Sequence, residues 1–462
     1  MWNEGRAGRG TKARRGSCAP GPVSSTLEHV SGTSPDTQRA RGSLPGWVGA
    51  RDGWGRYAAL VSTPRALAGF RVLDLSRILA GPYCTMLLGD QGADVVKVEK
   101  PDTGDDTRRW GPPFVGTGAD AESAYYLCCN RNKRSLTLDL KAPTGQALAR
   151  ELALAADVVV HNFMPGTLER LGLGHEALLA ANPRLVVAAI SAYGQDGPYA
   201  DRPGYDMVLA AVGGMMHITG ERGGGPVKVG VALTDVLTGV HAAGAITTAL
   251  LHRERTGAGQ HLDISLLDVG VASLANVAAN WTLAGQEATR WGTAHPSLVP
   301  YQVFRTQDRP LAIAAANERM WADLCGVLER PEWIDDPRFK TNATRVEHRD
   351  VLVPAIEAVF ATRTAADWLQ RLTADKLPAG PVNDMQHLFD DPQVQHRELV
   401  RTVPHPTLGD LAQIANPIRA SLTPPAIDRH PPRLGEHTDE VLADWLELTP
   451  ERRAGLCAEG IH

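Results

Sequence analysis

The chain has 462 residues, of which 43% are hydrophobic and 21% charged, a composition typical of a globular protein of two or three domains. No apolar run approaches the ~20 residues that span a bilayer, so the sequence predicts no membrane span. Residues 1–66 hold ten Lys or Arg and four Asp or Glu, whereas the remainder holds 37 basic and 48 acidic residues. This acidic body argues against a nucleic-acid partner, which requires clustered positive charge.

The N-terminal segment, residues 1–66, is rich in Gly, Ser, Arg and Pro and has little hydrophobic periodicity. This composition predicts a disordered or targeting extension rather than a folded unit. An excess of Arg is typical of a mitochondrial transit peptide, whereas Glu4 and Asp36 are not. An artefactual upstream extension explains the composition equally well.

Five β-branched apolar runs follow, and helical stretches such as Thr144–Ala156 separate several of them. The runs are RVLDLSR (71–77), ADVVKVE (93–99), SLTLDL (135–140), ADVVVHNF (156–163) and LVVAAIS (185–191). Buried strands that alternate with helices indicate a parallel sheet in a doubly wound, Rossmann-like α/β domain. The GxGxxG turn of dinucleotide-binding proteins is missing from the sequence.

The pattern changes in the second half of the chain. A predicted helix over Val236–Leu251 is followed by a strand candidate, HLDISLLD, and by an Ala-rich helix to about Leu283. From about residue 298 to 390, Trp and acidic residues are more frequent, and short helices such as Asn317–Leu328 and Ala365–Thr373 dominate. These residues are a candidate second, smaller domain.

The cysteines and histidines give no sign of a metal site. The six cysteines show neither CxxC nor zinc-type spacing, and the 15 histidines form no HExxH pattern. The neighbours Cys128 and Cys129 would make a strained disulfide. Reduced, buried thiols are the preferred interpretation.

Asp235 is the only charged residue of the run GVALTDVLTGV (230–240), and it lies where a helix is predicted to begin. The unpaired N–H groups and the dipole of a helix start favour negative charge, so we expect this carboxylate to stay ionised. On the pattern alone two roles stay open. Asp235 is either a helix cap, which is the commoner role, or a nucleophile for covalent catalysis.

Basic residues cluster between the early strands, and three of them lie just past a predicted strand or in the segment that follows it. The cluster comprises Lys97, Lys100, Arg131, Lys133, Arg134, Lys141 and Arg170. Ligands of open α/β sheets bind outside the carboxyl ends of the strands, so cations there suit a polyphosphate-bearing ligand. A solvated charged face is the competing interpretation.

Eight stretches, in this order along the chain, resemble the class III CoA-transferase family from about Gly69 to Glu436. They are VLDLSRILAGP, GADVVKVEKP, NRNKRSLTLDLK, NFMPGTLERLGLG, ISAYGQDGP, GYDMV, GVALTDVLTG and HRERTGAGQHLDISLLD. Three longer segments resemble members of the family that act on succinyl-CoA and a dicarboxylic acid. These segments are GDDTRRWGPPFVGT, GYDMVLAAVGGMMHITG and RWGTAHPSLVPYQVF.

The resemblance implies a site and a mechanism. Asp235 corresponds to the nucleophile that carries the aspartyl-CoA thioester, and CoA thioesters are substrates, with neither a cofactor nor a metal. Coenzyme A contacts are implied at Lys100, Leu138, Lys141, Asn162, Phe163, Met164, Arg170 and Tyr205. N–H groups at the helix start and in the Gly223–Gly225 turn are candidate oxyanion donors. Arg290 and His295, from this chain or its partner, are candidates for holding the free carboxylate of a dicarboxylic acceptor.

Two alternatives to a transferase remain. The α-methylacyl-CoA racemases of the family carry a catalytic His thirty residues before the aspartate, where this chain has Tyr205, and a phenol is a poor proton shuttle at neutral pH. The transferase is therefore favoured over a racemase-like isomerase. A non-catalytic CoA-binding protein is the other alternative.

The resemblance also implies the architecture. We expect a large CoA-binding domain over residues 67–290, completed by 391–445, and a small α/β domain over 291–390, with two chains interlocked as a homodimer. Leu79 stands where formyl-CoA transferase has Gln, and that enzyme's glycine-rich lid has no counterpart. Larger acyl groups than formyl or oxalyl are therefore expected, with succinyl-CoA as donor and glutarate or 3-hydroxy-3-methylglutarate as acceptor. The mitochondrial matrix is the expected location.

Overall fold

The computed structural model describes residues 65–462, so the predicted extension lies, except for its last two residues, outside the described residues. The strands are β1 (Arg71–Asp74), β2 (Asp94–Glu99), β3 (Phe114–Val115), β4 (Glu122–Ser123), β5 (Lys133–Thr137), β6 (Val158–His161), β7 (Val186–Ser191), β8 (Gln260–Ser265), β9 (Tyr301–Phe304), β10 (Leu311–Ala314), β11 (Ala379–Pro381), β12 (Val400–His405) and β13 (Gly409–Ile414).

The helices of the first half are α1 (Ala80–Asp90), α2 (Ala124–Leu127), α3 (Pro143–Ala155), α4 (Thr167–Arg170), α5 (His175–Ala181), α6 (Asp206–Val212), α7 (Met215–Ile218) and α8 (Leu233–Thr256). Those of the second half are α9 (Leu266–Ala272), α10 (Ala275–Ala284), α11 (Glu318–Val327), α12 (Glu332–Asp335), α13 (Asn342–Glu347), α14 (Arg349–Phe360), α15 (Ala365–Ala374), α16 (Met385–Asp390), α17 (Pro392–His396), α18 (Thr438–Leu446) and α19 (Pro450–Ala458). Short 3₁₀ helices lie at Asp106–Arg109 and Gly118–Asp120.

Six parallel strands form the central sheet, in the order β5-β2-β1-β6-β7-β8. Counted along the chain this is 3-2-1-4-5-6, the doubly wound order, so the predicted Rossmann-like fold class is confirmed. Each of the five predicted apolar runs contains or overlaps one of these strands, and HLDISLLD supplies β8. The strands β2, β6 and β7 are valine-rich and almost fully buried, because helices cover both faces of the sheet, whereas the edge strand β8 is only partly buried.

The winding of the chain reverses between β1 and β6, which pair in register with Leu73 opposite Val159. The strands that follow β1 lie on one side of it, and those that follow β6 lie on the other. In sheets of this kind the loops after these two central strands diverge, and a crevice opens at their carboxyl ends. The fold therefore places a binding site after Asp74 and His161.

One face of the sheet buries a core that the C-terminal helices complete. Val441, Leu442 and Trp445 of α18 pack with Leu148 and Leu152 of α3, together with Leu456 and Ile461. Residues after 445 therefore also contribute to this core, while the predicted completion of the large domain by residues 391–445 stays a prediction.

The C-terminal segment also covers β5, the edge strand of the sheet. Its backbone is hydrogen-bonded to that of β5 and of the residues that flank it, from Asn132 N–H to Arg429 O (3.0 Å) and from His437 N–H to Ser135 O (3.0 Å). Unpaired edge strands promote association between chains, and a covering segment prevents it.

The opposite face of the sheet packs against α1 and α8. Cys84 and Leu88 of α1, Ala242 and Ile246 of α8, and Val72 of β1 are all buried there. A separate core is built from buried residues between Val299 and Leu377, with Ala379 of β11 packed against it, and the antiparallel strands β9, β10 and β11 pair beside the surrounding helices. The predicted small domain contains this core, while its boundaries at 291 and 390 stay a prediction.

The Ala-rich helix predicted to reach Leu283 is broken. It consists of α9 and α10, which meet at 76° around Ser273 and Leu274. Within residues 65–462 no single helix is long and apolar enough to cross a membrane, and this bent pair reaches that length only as a unit.

Four of the seven clustered basic residues are buried in ion pairs. Lys97 pairs with Asp105 (2.9 Å), Lys133 with Asp74 (3.1 Å), Arg131 with Asp90 (2.7 Å), and Arg134 with Asp94 (2.5 Å). These four are neither a phosphate site nor a solvated face, so both interpretations are wrong for them. A buried cation requires a buried partner, and the acidic partners are spread over three other segments that the sequence pattern did not connect.

Candidate active site

A cavity of about 360 Å³ opens at the switch point of the sheet. Arg77 and Leu79 from the loop after β1 line one side, and Asn162 and Phe163 from the loop after β6 line another. Asp235, in the first turn of α8, also lines it. The cavity therefore brings together residues from Arg77 to Leu266, which lie 189 positions apart in the sequence.

Arg77 and Asn162 join the two loops. The backbone N–H of Arg77 donates to Asn162 Oδ1 (2.9 Å), and Asn162 Nδ2 donates to the carbonyl oxygen of Arg77 (2.7 Å). Both polar atoms of the Asn162 side chain are used in this way. The amide fixes the shape of the crevice and leaves ligand binding to the groups around it.

Asp235 does not cap its own helix. The N-cap residue of α8 is Ala232, and no side chain at that position accepts a hydrogen bond. Asp206 does so instead, because its Oδ1 accepts from the N–H groups of Thr234 (2.9 Å) and Asp235 (3.4 Å). The capping role considered for Asp235 is therefore wrong, and its carboxylate remains available for chemistry.

The environment of Asp235 disfavours its charge. The residue is 8% exposed, and burial together with the negative charge of Asp206 raises the pKa of its carboxyl to about 7. The expectation of a permanently ionised carboxylate is wrong, because desolvation and a like charge outweigh the dipole of the helix start. A carboxyl that titrates near neutral pH is typical of catalytic positions.

The helices α8 and α1 approach closely beside Asp235. A Cβ on Gly239, one turn along α8, would lie 2.7 Å from the carbonyl oxygen of Ala80, the first residue of α1. Only glycine allows this distance, since neither backbone has room to move in a packed core. Gly239 therefore holds Asp235 next to the loop that precedes α1.

The predicted oxyanion donors are largely committed elsewhere. The N–H groups of Thr234 and Asp235 donate to Asp206, and the N–H of Gly224 donates to the carbonyl oxygen of Glu221 (2.8 Å). The prediction is wrong for these three groups. Local sequence patterns could not indicate this, because Asp206 lies 29 residues before Asp235.

Four of the eight residues predicted to contact coenzyme A line the cavity together with Asp235. They are Asn162, Phe163, Met164 and Tyr205. Tyr205 is 60% exposed and directly precedes Asp206, so the phenol and the helix-capping carboxylate lie at the same helix start.

Two predicted cations lie near the cavity, Arg170 in contact with a lining residue and Lys100 linked to one through Asp106. Lys100 Nζ is 3.8 Å from Asp106, which also pairs with Arg77 (2.6 Å). Arg170 Nη2 donates to the hydroxyl of Thr167, a cavity residue (2.7 Å). Both side chains are exposed and positioned to meet a ligand that extends out of the cavity.

The remaining two predicted contacts follow β5. Lys141 is exposed, and its backbone N–H donates to Asp139 Oδ1 (2.9 Å). Leu138 is 1% exposed, and its side chain packs in the core below α3. Leu138 therefore has no side-chain surface to offer a ligand.

The structure does not bring Arg290 and His295 to Asp235 within one chain. Arg290 donates from Nε to Gly224 O (2.9 Å) and from Nη1 to His217 O (2.8 Å), so its guanidinium holds the loop before α8. His295 Nδ1 accepts from the N–H of Ser297 (3.0 Å). Neither residue lines the cavity that contains Asp235.

Sequence reasoning missed Asp206, Arg77 and Arg202. Asp206 is the acid beside the predicted Tyr205, and Arg77 ends the first predicted strand, so both had a local signal. Arg202 lines the cavity and lies over the ring of Tyr199, 3.7 Å from its centre. The sequence around Arg202 indicates only a turn.

The profile of CoA-transferase family III matches residues 67–438. The chain belongs to this family. The match spans the sheet, the cavity and α8, and it ends at the first residue of α18. The resemblance found in the sequence is thereby confirmed.

Two vertebrate relatives are similar to this class III CoA-transferase over most of their length. Both are named succinyl-CoA:glutarate CoA-transferase. The human protein is 43% identical over 414 residues, covering 89% of this chain and 94% of its own, and the mouse protein is 45% identical over 417 residues, covering 90% and 95%. A CAIB/BAIF family protein from Brucella suis has a similar crystal structure, with a TM-score of 0.75 and 40% identity, covering 83% of this chain and all of that one.

No group of three or more His, Cys, Asp or Glu side chains within residues 65–462 is arranged to hold a metal ion.

Proposed function

We propose that this CoA-transferase moves coenzyme A from succinyl-CoA to a dicarboxylic acid, with glutarate or 3-hydroxy-3-methylglutarate as acceptor, through a thioester on Asp235. The observation that carries the proposal is the carboxyl group of Asp235, which is buried, caps no helix and lines the cavity at the switch point of the sheet. The names of the human and mouse relatives support the substrates. An Agrobacterium fabrum relative, 44% identical, is named succinate–glutarate CoA-transferase.

The first half of the reaction loads Asp235. A carboxylate oxygen of Asp235 attacks the thioester carbon of succinyl-CoA, the C–S bond breaks, and coenzyme A leaves as a thiolate. The product is a mixed anhydride of Asp235 and succinate. The thiolate then attacks the Asp235 carbonyl carbon, the anhydride C–O bond breaks, and succinate departs, which leaves an aspartyl-CoA thioester.

The second half reverses these steps with a new acid. A carboxylate oxygen of the acceptor attacks the Asp235 thioester carbon and expels the coenzyme A thiolate. The thiolate attacks the acceptor carbonyl of the resulting anhydride, and the Asp235 carboxylate is released. One thioester is exchanged for another, so the reaction needs neither ATP nor a further cofactor.

Asp235 attacks as a carboxylate, so its pKa of about 7 matters for the rate. Near that pH a large fraction is ionised, and the ion is more basic than an ordinary carboxylate. Raised basicity makes a better nucleophile, while the same rise in pKa leaves a larger fraction of Asp235 protonated and unreactive at a given pH. Arg77, Lys100, Lys141 and Arg170 provide positive charge for the phosphates of coenzyme A, whose binding holds the thioester in place.

The acceptor keeps one free carboxylate after transfer, which requires a cation or several donors if it is buried. We assign Arg290 and His295 to this task, supplied across the interface of an interlocked homodimer. The guanidinium of Arg290 and the imidazole of His295 have the chemistry that a carboxylate requires, and within one chain both residues lie outside the cavity of Asp235. The Arg-rich residues 1–66 support import into the mitochondrial matrix, which a fusion of this segment to a fluorescent protein tests.

An acceptor screen tests the proposed function. The purified protein is incubated with succinyl-CoA and a panel of mono- and dicarboxylic acids, and mass spectrometry identifies the product thioesters. We expect glutaryl-CoA or 3-hydroxy-3-methylglutaryl-CoA. Failure with every short dicarboxylate would remove the substrate assignment.

Two further measurements separate the alternatives. Hydroxylamine in the presence of succinyl-CoA should leave a hydroxamate on Asp235, whereas a non-catalytic CoA-binding protein leaves none. A racemase-like isomerase would exchange the α-proton of a 2-methylacyl-CoA in heavy water without an acceptor acid.

A further inference from the structure

Cys128 and Cys129 differ sharply in exposure although they are neighbours in the chain. They follow α2, and Cys128 is exposed whereas Cys129 is completely buried. The sequence-based interpretation of buried thiols is therefore wrong for Cys128. The Cys128 thiol is accessible to reagents in the solvent, whereas the Cys129 thiol is enclosed by the protein.

The two thiols point toward the same atom. Cys128 Sγ is 3.1 Å from the carbonyl oxygen of Tyr125, and Cys129 Sγ is 3.7 Å from it. The hydrogen bond from Cys129, with Arg131 and Lys133 nearby, holds the pKa of the Cys128 thiol below its ordinary value. A thiolate is the reactive form of cysteine, and an exposed thiolate beside a second thiol is the arrangement of redox-sensitive pairs.

Cys129 belongs to the wall behind the active site. It packs with Leu79 and Met86, and Tyr125 and Val236 lie against this cluster. Leu79 lines the cavity, and Val236 directly follows Asp235. A change in the position of Cys129 therefore displaces side chains next to the proposed nucleophile.

We propose that Cys128 and Cys129 are an oxidation-sensitive dithiol, which a peroxide closes to a vicinal disulfide, and that closure lowers the activity of the adjacent site. The second part rests on the proposed function. The first part concerns the thiols alone.

The oxidation balances with hydrogen peroxide as oxidant. The Cys128 thiolate attacks one peroxide oxygen, the O–O bond breaks, hydroxide leaves, and Cys128 becomes a sulfenic acid. The Cys129 sulfur then attacks the Cys128 sulfur and the S–O bond breaks. Water leaves with the Cys129 proton. Two thiol groups have lost two electrons, which the peroxide has taken up.

Closure should be reversible by a thiol reductant. Adjacent Cα atoms across a trans peptide are about 3.8 Å apart, whereas disulfides usually join Cα atoms about 4.4 to 6.8 Å apart. A ring between neighbours is therefore strained in general, and strained disulfides are the readily reduced, regulatory kind. The ring also draws Cys129 out of its packed position.

A single tryptic peptide reports the reaction. Trp110–Arg131 contains both cysteines and no other. The full-length protein is treated with hydrogen peroxide, and free thiols are alkylated. The mass of the peptide is then measured by mass spectrometry before and after treatment with dithiothreitol. We expect a peptide lighter by two hydrogen atoms, without alkyl groups, that dithiothreitol returns to the doubly alkylated form. Addition of two or three oxygen atoms to Cys128 instead, or oxidation of Cys457 before either neighbour, would overturn the dithiol.

Transfer activity is measured on the same samples, with Cys128→Ser as the test variant and Cys457→Ser as its control, since Cys457 is the other exposed thiol of the described residues. Wild type and Cys457→Ser should lose most of their activity with peroxide and regain it with dithiothreitol, whereas Cys128→Ser should keep it. Equal loss in all three proteins would overturn the link to activity. No transfer in the fully reduced protein counts against the proposed function alone, because the peptide masses still decide the dithiol.

Discussion

The carboxylate of Asp206 caps the helix that carries Asp235 and opposes the ionisation of the Asp235 carboxyl. Its Oδ1 accepts the backbone N–H of Asp235 at 3.4 Å, and its negative charge acts with burial to raise the pKa of Asp235 to about 7. One side chain therefore fixes the position of the proposed nucleophile and tunes its basicity. These two effects are separable by mutation.

Asp206→Asn should separate them. The amide oxygen of the new side chain can still accept from the helix start, but the negative charge is gone, so the pKa of Asp235 should fall. Because the reaction requires the carboxylate, the acidic limb of the pH profile of kcat/KM should move to lower pH. The profile is measured from about pH 5 to 9 with saturating acceptor.

Asp206→Ala is the matched control, since it removes both the charge and the cap. It should shift the same limb and also lower the free energy of unfolding by about 1 kcal/mol, the usual cost of losing an N-cap. An unchanged acidic limb in both variants would show that Asp206 does not tune Asp235.

Asp235→Asn should abolish transfer while making the protein more stable above pH 7. The folded-state pKa lies above the ordinary 3.8, so the fold favours the neutral acid, and stability is lost as the pH rises from 3.8 to about 7. Asn mimics the neutral acid at every pH. The difference between its free energy of unfolding and that of wild type should grow across this pH interval and then level off at no more than about 4 kcal/mol.

Thermal unfolding of both proteins at several pH values measures this difference, and circular dichroism checks the fold. Asp235→Ala serves as a control against deamidation of the new Asn. A stability difference independent of pH, or turnover in the Ala variant, would contradict the assignment of Asp235.

Gly239→Ala should disturb the site although it adds a single methyl group. The new Cβ would lie 2.7 Å from the carbonyl oxygen of Ala80 and 3.2 Å from the backbone nitrogen of Cys84. Overpacking of this kind costs about 1–3 kcal/mol and should separate α8 from α1, with a loss of activity.

Gly244→Ala is the control on the same helix, because no atom beyond its chain neighbours and the surrounding backbone of α8 lies within 4 Å of the position of its Cβ. That variant should be as stable as wild type or gain up to about 1 kcal/mol from helix propensity. Urea unfolding compares the two variants. Equal stabilities would show that the close approach at Gly239 is not required.

Arg290→Ala tests the assignment of the acceptor site. If Arg290 of the partner subunit binds the free carboxylate, KM should rise much more for glutarate than for a monocarboxylate such as butyrate, and also for succinyl-CoA, whose succinyl group ends in a free carboxylate. In its own chain the guanidinium holds the carbonyl groups of Gly224 and His217. Equal losses with both acceptors would therefore show that Arg290 only holds the loop.

Tyr205→His restores the spacing of His and Asp that the racemases carry. Transfer should persist, and slow exchange of the α-proton of a 2-methylacyl-CoA should appear in heavy water, provided that the imidazole faces the substrate. Proton exchange by mass spectrometry measures it, with wild type as the control. Efficient exchange by wild type would contradict the transferase interpretation of this position.

Local patterns predicted the elements of the fold well, because valine-rich runs and helical periodicity are short-range properties. All six strands of the central sheet, as well as α3, α11 and α15, were located to within a few residues. The strand order was not predicted, and it is the order that brings Asn162 beside Arg77. The hydrophobic periodicity of a segment does not indicate which distant segment it pairs with.

The candidate site was predicted only in part, because it too depends on contacts between distant segments. The resemblance implies Asp235 and eight contact residues, of which Asp235 and four of the eight line one cavity. The burial of Leu138 depends on its packing against α3, which the sequence pattern does not contain. The charge state of Asp235 was predicted wrongly. Its helix start is a local feature, but its burial and its neighbour Asp206 come from tertiary structure.

The covering of β5 by the C-terminal segment has a consequence for biosynthesis. Ser135 and Gly435, which are joined by a hydrogen bond, are 300 residues apart in the chain. At about 5–20 residues per second, the ribosome reaches the second roughly 15–60 s after the first. During that time the growing chain presents an unpaired edge strand and an uncovered apolar face, both of which favour aggregation. The nascent protein therefore depends on fast completion of the chain, or on a chaperone that shields this edge, to avoid aggregation until the C-terminal segment covers β5.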